Sequence, residues 1–269
     1  MITAPFEYQR AGSVDEAIGL IAGDDDAKLL AGGHSLIPAM RLRIARPSLL
    51  VDIGRLDDLR YVRLEGDRIA IGALTRHAEL VHDPVLTGHC ALVAETAALI
   101  GDPQVRHRGT IGGSVAHGDP ASDLTTILLT LDADFVARGT DGERTIPAAE
   151  FFVGPFETAL ARQEILTEIR LPQVAAGTYL KHVRRAQDWA TVGVAAARVG
   201  ERIQIGLTSM GPTPLRARGV EEALAGGASP ADAATRSEEG TEPPDDVSAS
   251  SEYRAHLAQV LVRRAIDAL

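Results

Sequence analysis

Apolar residues recur at helical spacing after Ser13, at Val14, Ala17, Ile18 and Ile21, with Glu16 in capping-box position three residues beyond the serine. This predicts a short amphipathic helix. Ala27–Ala31 then predicts a strand, the segment 35–43 (SLIPAMRLR) a helical turn or two, and SLLVDI after Pro47 a second strand. Two apolar runs around Glu65-Gly66-Asp67 predict a hairpin. Thr75 is placed to cap a helix, and the alanine-rich stretch from Pro84 to Ile100 predicts one long helix.

Beyond residue 120 the pattern predicts a helix over SDLTTILLTLDA, a strand at DFVAR, a hairpin through GTDGERTIP and a strand at EILTEIRLP. Three strand-like runs between Thr178 and Met210 predict an antiparallel sheet, followed by a helix at RARGVEEALAGG and a terminal helix with Tyr253, Leu257, Val260, Leu261 and Ala265 on one face. Residues 226–246 are rich in acid, Gly and Pro with almost nothing to bury, which predicts a mobile surface loop. The pattern changes near residues 55 and 171, giving a small βαβ lobe over 1–55, a larger α+β lobe over 56–171 and a sheet-and-helix lobe over 172–269.

The 269 residues, 45% hydrophobic and 24% charged, suffice for a substantial core. A formal charge of −10 argues against a nucleic-acid surface, since binding a polyanion rests on phosphate neutralisation. The single cysteine, Cys90, excludes an internal disulfide and a cysteine-ligated iron–sulfur cluster within this chain, and suggests a cytoplasmic protein. The opening residues lack the basic start and apolar core of a signal peptide, and no window approaches the length of a membrane span.

Two stretches carry candidate chemistry. LLAGGHSL, from Leu29 to Leu36, and GTIGGSVA, from Gly109 to Ala116, each place two adjacent glycines at the opening of a helix. Glycine lets backbone amides converge on an anion because it tolerates positive φ and leaves no Cβ in the way. Two such loops could clasp a diphosphate, with the Thr110 and Ser114 hydroxyls beside the second; alternatively each pair is a tight turn between elements. Neither stretch is the G-x-x-x-x-G-K-[ST] or G-x-G-x-x-G of the standard nucleotide folds. His117 and Asp119 invite a metal reading that no other His or acid completes, and Arg106 and Arg108 could steer phosphates or a nicotinamide substrate but read more simply as a solvated charged turn.

AGGHSLIPAMRLR, GDPQVRHRGTIGGSVAHGDPASDL, EILTEIRLP and KHVRRAQDWATVGVA, in this order and spacing, resemble the FAD-binding medium subunit of the molybdenum hydroxylases, the xanthine dehydrogenase and carbon monoxide dehydrogenase family. The resemblance spans nearly the whole chain. It implies an α+β fold similar to that of vanillyl-alcohol oxidase, with non-covalent FAD between two lobes and a third lobe at the C-terminus. It further implies that Leu29, Leu30, Ala31, Gly32, Gly33, His34, Ser35 and Leu36 form the first pyrophosphate loop, and Thr110, Ile111, Gly112, Gly113 and Ser114 the second. By the same resemblance Ile100 and Leu166 pack near the flavin, Asp123 accepts hydrogen bonds from FAD hydroxyls or the ring, and Lys181 contacts the flavin. Trp189 stands where relatives carry Tyr or Phe and could cover one face of the ring, or serve as a core or subunit-contact residue.

In the resembled family a large subunit carries a molybdenum–pterin cofactor, a small subunit carries two [2Fe–2S] clusters, and the flavin passes electrons to NAD, a quinone or oxygen. The expectation is an electron-transfer subunit of such a complex, assembled as a dimer of heterotrimers. Two rivals stand beside it. One is a stand-alone flavin oxidoreductase of the same fold, which needs an acid or base over the flavin; the other is an assembly module whose glycine pairs are turns only.

Overall fold

A computed structural model describes residues 2–269. Among the described residues three sheets of three or more strands follow one another along the chain, with a two-stranded ribbon of Phe152–Gly154 and Glu157–Thr158 besides. The first is parallel and three-stranded, with Leu49–Asp52 between Glu7–Arg10 and Lys28–Leu30. Its first strand escapes the hydrophobic pattern because all four residues are exposed. The helix Val14–Ala22, capped by Ser13 as its spacing predicts, lays Ala17, Ile18 and Ile21 against Leu49, Val51 and Ile53. Ile165 of the next sheet and Leu74, in the turn that follows its strand Arg68–Gly72, reach into this same small core, so the two sheets share a hydrophobic contact.

The second sheet is antiparallel, in the order Val62–Glu65, Arg68–Gly72, Ile165–Pro172, Asp134–Gly139, Gly142–Pro147. Both predicted hairpins are here, the first turning at Gly66 with φ +63°. The helices Ala91–Ala98 and Asp123–Thr130 contribute Leu92, Val93, Leu124, Ile127 and Leu128 to the largest core, against Ile69, Ile71, Phe135 and Ile169.

The third sheet is antiparallel, Gly177–His182, Val192–Val199, Arg202–Thr208 and Leu215–Arg216. Its second strand is buried on both faces. Ala195 and Ala197 join the large core, while Val192, Val194 and Ala196 join a separate core with the helices Arg218–Ala225 and Ser251–Asp267. That alternation is the two-residue period of a strand sandwiched between helices.

Four expectations are corrected. The helix over Pro84–Ile100 is two, Pro84–His89 and Ala91–Ala98, broken at Cys90 with φ −161° and ψ 66°. The His89 carbonyl is taken by the Val174 amide at 2.8 Å, so a tertiary bond replaces helical continuation. Thr75 is no cap: its hydroxyl donates to the Tyr61 carbonyl and accepts from the Tyr61 amide, and the helix His77–His82 starts after Arg76. The terminal helix buries Arg254, Ala258, Leu261, Val262 and Ala265, leaving Tyr253 47% exposed, a face rotated from the predicted one because the Arg254 guanidinium turns inward onto Asp246 and the Thr191 carbonyl. Nor is the segment 226–246 without anything to bury. It holds the helix Pro230–Ala234 with Ala233, Ala234 and Ser237 buried, and Glu242 donates its amide to the Met210 carbonyl at 2.9 Å.

Candidate functional site

The first glycine stretch leaves its strand at Leu30 and enters the helix Leu36–Arg41. Gly33 has φ +77°, which needs glycine. Gly32 needs it for a different reason: a Cβ there would overlap the Arg108 carbonyl oxygen. Among the described residues no hydrogen bond ends on the amides of Gly32, Gly33, His34, Ser35 or Leu36, while the His34 ring folds back on the Gly32 carbonyl at 3.1 Å. Backbone donors are almost always paired when folded, so consecutive free ones on a partly open loop are the donors that an anion nest requires. The loop also lies at the carboxyl end of a parallel strand, where open parallel sheets place their ligands.

The second stretch is built differently. Thr110 caps the helix Ile111–His117, and Gly112 and Gly113 lie inside its first turn with ordinary helical backbone. The amides that follow Thr110 are already used: Ile111 on the Thr75 carbonyl, Gly112 on Ala73, Gly113 on the Thr110 hydroxyl and Ser114 on the Thr110 carbonyl. Gly112 is a packing glycine, since a Cβ would stand 2.5 Å from that of Ala73. The expectation that both pairs expose convergent amides is therefore corrected for the second. What this stretch still offers is the Ser114 hydroxyl, partly exposed, and the buried one of Thr110.

The two stretches meet where Gly32 packs on Arg108 and Gly109. Beside that contact a cavity of about 370 Å³ is lined by Leu30, Ala31 and Thr110 and by five arginines, Arg10, Arg55, Arg60, Arg76 and Arg108. Asp52 is its one acidic lining residue, so a chain of net charge −10 carries a positive hollow here. Arg106 is not merely solvated, because its guanidinium donates to the Ile100 carbonyl at 2.9 Å.

A second polar group forms at the other end of the helix Ile111–His117. Lys181 donates to Asp123 Oδ2 at 2.8 Å and Tyr179 to Asp123 Oδ1 at 2.7 Å. Thr208 continues the chain, 3.0 Å from Tyr179 and donating to Thr126 at 2.8 Å. Burial pushes the Asp123 carboxyl up, while the Lys181 ammonium and the Tyr179 hydroxyl pull it down. Ile100 is adjacent, with Lys181 Nζ 3.5 Å from the Leu99 carbonyl. Leu166 is buried at a bulge in its strand, and neighbouring Thr167 accepts the Ala73 amide at 2.9 Å, linking it to Gly112 through Ala73. Trp189 stands apart on the loop between strands Gly177–His182 and Val192–Val199, 66% exposed. His117 stacks on Phe156 at 5.1 Å.

Residues 4–174 match the FAD binding domain in molybdopterin dehydrogenase, and 177–269 match the CO dehydrogenase flavoprotein C-terminal domain. The chain belongs to this family of FAD-binding molybdenum hydroxylase subunits. It is 42% identical to the carbon monoxide dehydrogenase medium chain of Hydrogenophaga pseudoflava, across 100% of this chain and 98% of that one. It is 38% identical to the 6-hydroxypseudooxynicotine dehydrogenase complex subunit alpha of Paenarthrobacter nicotinovorans, across 97% and 93%. The solved Hydrogenophaga pseudoflava carbon monoxide dehydrogenase superposes with a TM-score of 0.95 at 43% identity, covering 100% of this chain and 98% of that chain. The chain is thus the FAD-binding subunit of an oxidoreductase, and the molybdenum–pterin and iron–sulfur groups belong to other subunits, in keeping with its single cysteine. The Hydrogenophaga pseudoflava relative and a second one, from Afipia carboxidovorans, are both named as medium chains of carbon monoxide dehydrogenase. Among the described residues no helix is long and apolar enough to cross a membrane.

Sequence reasoning missed His77, which lies under the second stretch with its Nε2 3.2 Å from Ser114 Oγ. It also missed the arginine hollow, whose members are spread from position 10 to 108. No local pattern marks either, since both are assembled by elements distant in the chain, the first by the helices His77–His82 and Ile111–His117.

Proposed function

We propose that Leu29 through Leu36 and Thr110 through Ser114 hold the diphosphate of FAD, and that Ile100, Asp123, Leu166, Lys181 and Trp189 surround its flavin end. The observation that carries this is the run of free amides from Gly32 to Leu36, next to a hollow ringed by arginines. A diphosphate is an acceptor-only group, and amides, hydroxyls and guanidinium groups are the donors it needs. The helix Ile111–His117, seven residues and so roughly 10 Å long, runs in the chain from the second stretch toward the segment that leads to Asp123. An extended dinucleotide can lie along that helix with its diphosphate at one end and its ring at the other.

FAD supplies a carrier that takes electrons one at a time and hands on a pair. This chain's own residues bind it and fix its place. Lys181 sets an ammonium group, paired with Asp123, at the flavin end, Leu166 and Ile100 offer apolar contact, and Trp189, 66% exposed, is open to lie over a ring. In this reading electrons come from the [2Fe–2S] clusters of the small subunit and leave to an external acceptor: NAD, a quinone or oxygen. Residues 1–55, 56–171 and 172–269 act as three lobes of a fold like that of vanillyl-alcohol oxidase, in a cytoplasmic dimer of heterotrimers. The substrate of the complex is set by the large subunit, since relatives at 42% and 38% identity are named for carbon monoxide and for 6-hydroxypseudooxynicotine.

The test is reconstitution. Purified chain stripped of cofactor should regain a flavin absorption band on adding FAD, in one-to-one stoichiometry, and Gly33→Val should not. Equal uptake by that variant would overturn the nest. Native mass spectrometry of the complex, with molybdenum and iron analysis, tests the partners.

A further inference from the structure

We propose that His77 is a positioning residue for the second glycine stretch, its Nε2–H fixing the Ser114 hydroxyl as a hydrogen-bond donor aimed outward at the cofactor diphosphate. The inference rests on the FAD reading above.

The imidazole is locked in place. Its residue opens the helix His77–His82, its amide donates to the Gly109 carbonyl at 3.0 Å, and its ring is 2% exposed. Gly109 lies flat against it, for a Cβ there would stand 2.7 Å from His77 Cδ2. Nε2 is 3.2 Å from Ser114 Oγ, and Nδ1 is buried with no hydrogen-bond partner. Burial first, then the charges of Arg106 and His34, bring the ring's pKa down to about 4, so it is neutral at physiological pH and carries one N–H.

That one proton has two possible homes. On Nδ1 it would be a buried donor with no acceptor, and Nε2 would then draw the Ser114 proton inward. On Nε2 it is satisfied by Ser114 Oγ, and the orphan at Nδ1 is only a lone pair, the cheaper of the two vacancies in a protein interior. The second arrangement leaves the Ser114 proton free to turn away from the ring. The amides of Ile111, Gly112, Gly113 and Ser114 are all spent inside the fold, so beside Thr110, which lines the arginine hollow, the partly exposed Ser114 hydroxyl is the remaining donor of this stretch. A serine that could equally accept would be indifferent beside a phosphate oxygen; one whose acceptor side is filled by a neutral imidazole is committed to donate.

Full-length chain freed of FAD and titrated with FAD, followed by flavin fluorescence, reads the effect. His77→Leu should weaken FAD affinity roughly tenfold, the scale of one hydrogen bond to a charged group. His77→Gln, whose side-chain amide can donate from the Nε2 position, should stay within about threefold of the parent. His77→Leu combined with Ser114→Ala should be no weaker than Ser114→Ala alone, because the histidine acts only through that hydroxyl. Riboflavin, which has no phosphate, should bind all variants alike. Imidazole nitrogen chemical shifts of the unaltered protein should report the Nε2–H tautomer. Additive losses in the double variant, equal losses for Leu and Gln, parallel losses for riboflavin, or an Nδ1–H tautomer would each overturn the proposal. Failure of the unaltered chain to bind FAD at all would instead overturn the cofactor reading, and the nitrogen spectrum still decides the tautomer.

Discussion

Lys181 donates to Asp123 at 2.8 Å, joining the third sheet to the first residue of the helix Asp123–Thr130, with both side chains less than a tenth exposed. A buried pair of this kind is costly to break one-sidedly, because the survivor keeps its desolvation cost without its partner. Lys181→Met should therefore lose about 3 kcal/mol or more of unfolding free energy. Adding Asp123→Asn should restore part of it. Urea unfolding of the three variants checks the order, and a double variant weaker than Lys181→Met would contradict it.

The two glycine pairs should fail in different ways. Gly112→Ala drives a methyl into Ala73 inside the core, and overpacking of that kind costs roughly 1–3 kcal/mol, read as a lower melting temperature. Gly32→Ala pushes the first loop off the Arg108 carbonyl on a partly exposed surface. Its larger effect should be on FAD retention, at least tenfold, with a smaller change in the melting temperature of the cofactor-free chain.

His77 makes stability depend on acid. Its folded pKa, about 4, lies below the ordinary histidine value of 6.5, so the unfolded chain binds the extra proton first. The native state is then favoured above pH 6.5 and loses that advantage as pH falls toward 4, by about 3 kcal/mol in all. His77→Gln should flatten this part of the curve. Thermal melts of both proteins across the window measure it.

The arginine hollow should speed cofactor uptake by attraction over distance. Association of FAD with the stripped chain should slow several-fold between low and high salt, because screening shortens the reach of the field. Substituting Arg55, Arg76 and Arg108 by Gln should remove most of that salt dependence. Stopped-flow quenching of flavin emission gives both rates.

Trp189 is the chain's one tryptophan and 66% exposed, which makes it a clean reporter. If its ring covers the flavin, its emission should fall on FAD binding in proportion to occupancy. Unchanged tryptophan emission at full occupancy would assign it to a subunit contact instead.

What the sequence by itself determined was whatever is written in short-range periodicity and in glycine. The helix after Ser13, both hairpins and the strand Ile165–Pro172 follow from repeat distances of a few residues, and Gly33 follows from a backbone angle that other residues resist. The tertiary structure decided the rest. The strand Glu7–Arg10 is exposed throughout and exists through its pairing with Leu49–Asp52. The helix from Pro84 stops because a distant amide takes the His89 carbonyl. Gly112 reads like Gly32 in one dimension, yet its amide is spent on Ala73 and its missing side chain serves the core. Likewise the His77 contact with Ser114 spans 37 positions and the Asp123 contact with Lys181 spans 58, separations that carry no periodic trace. Local preference fixes elements, whereas burial and charge pairing act only after the elements have met.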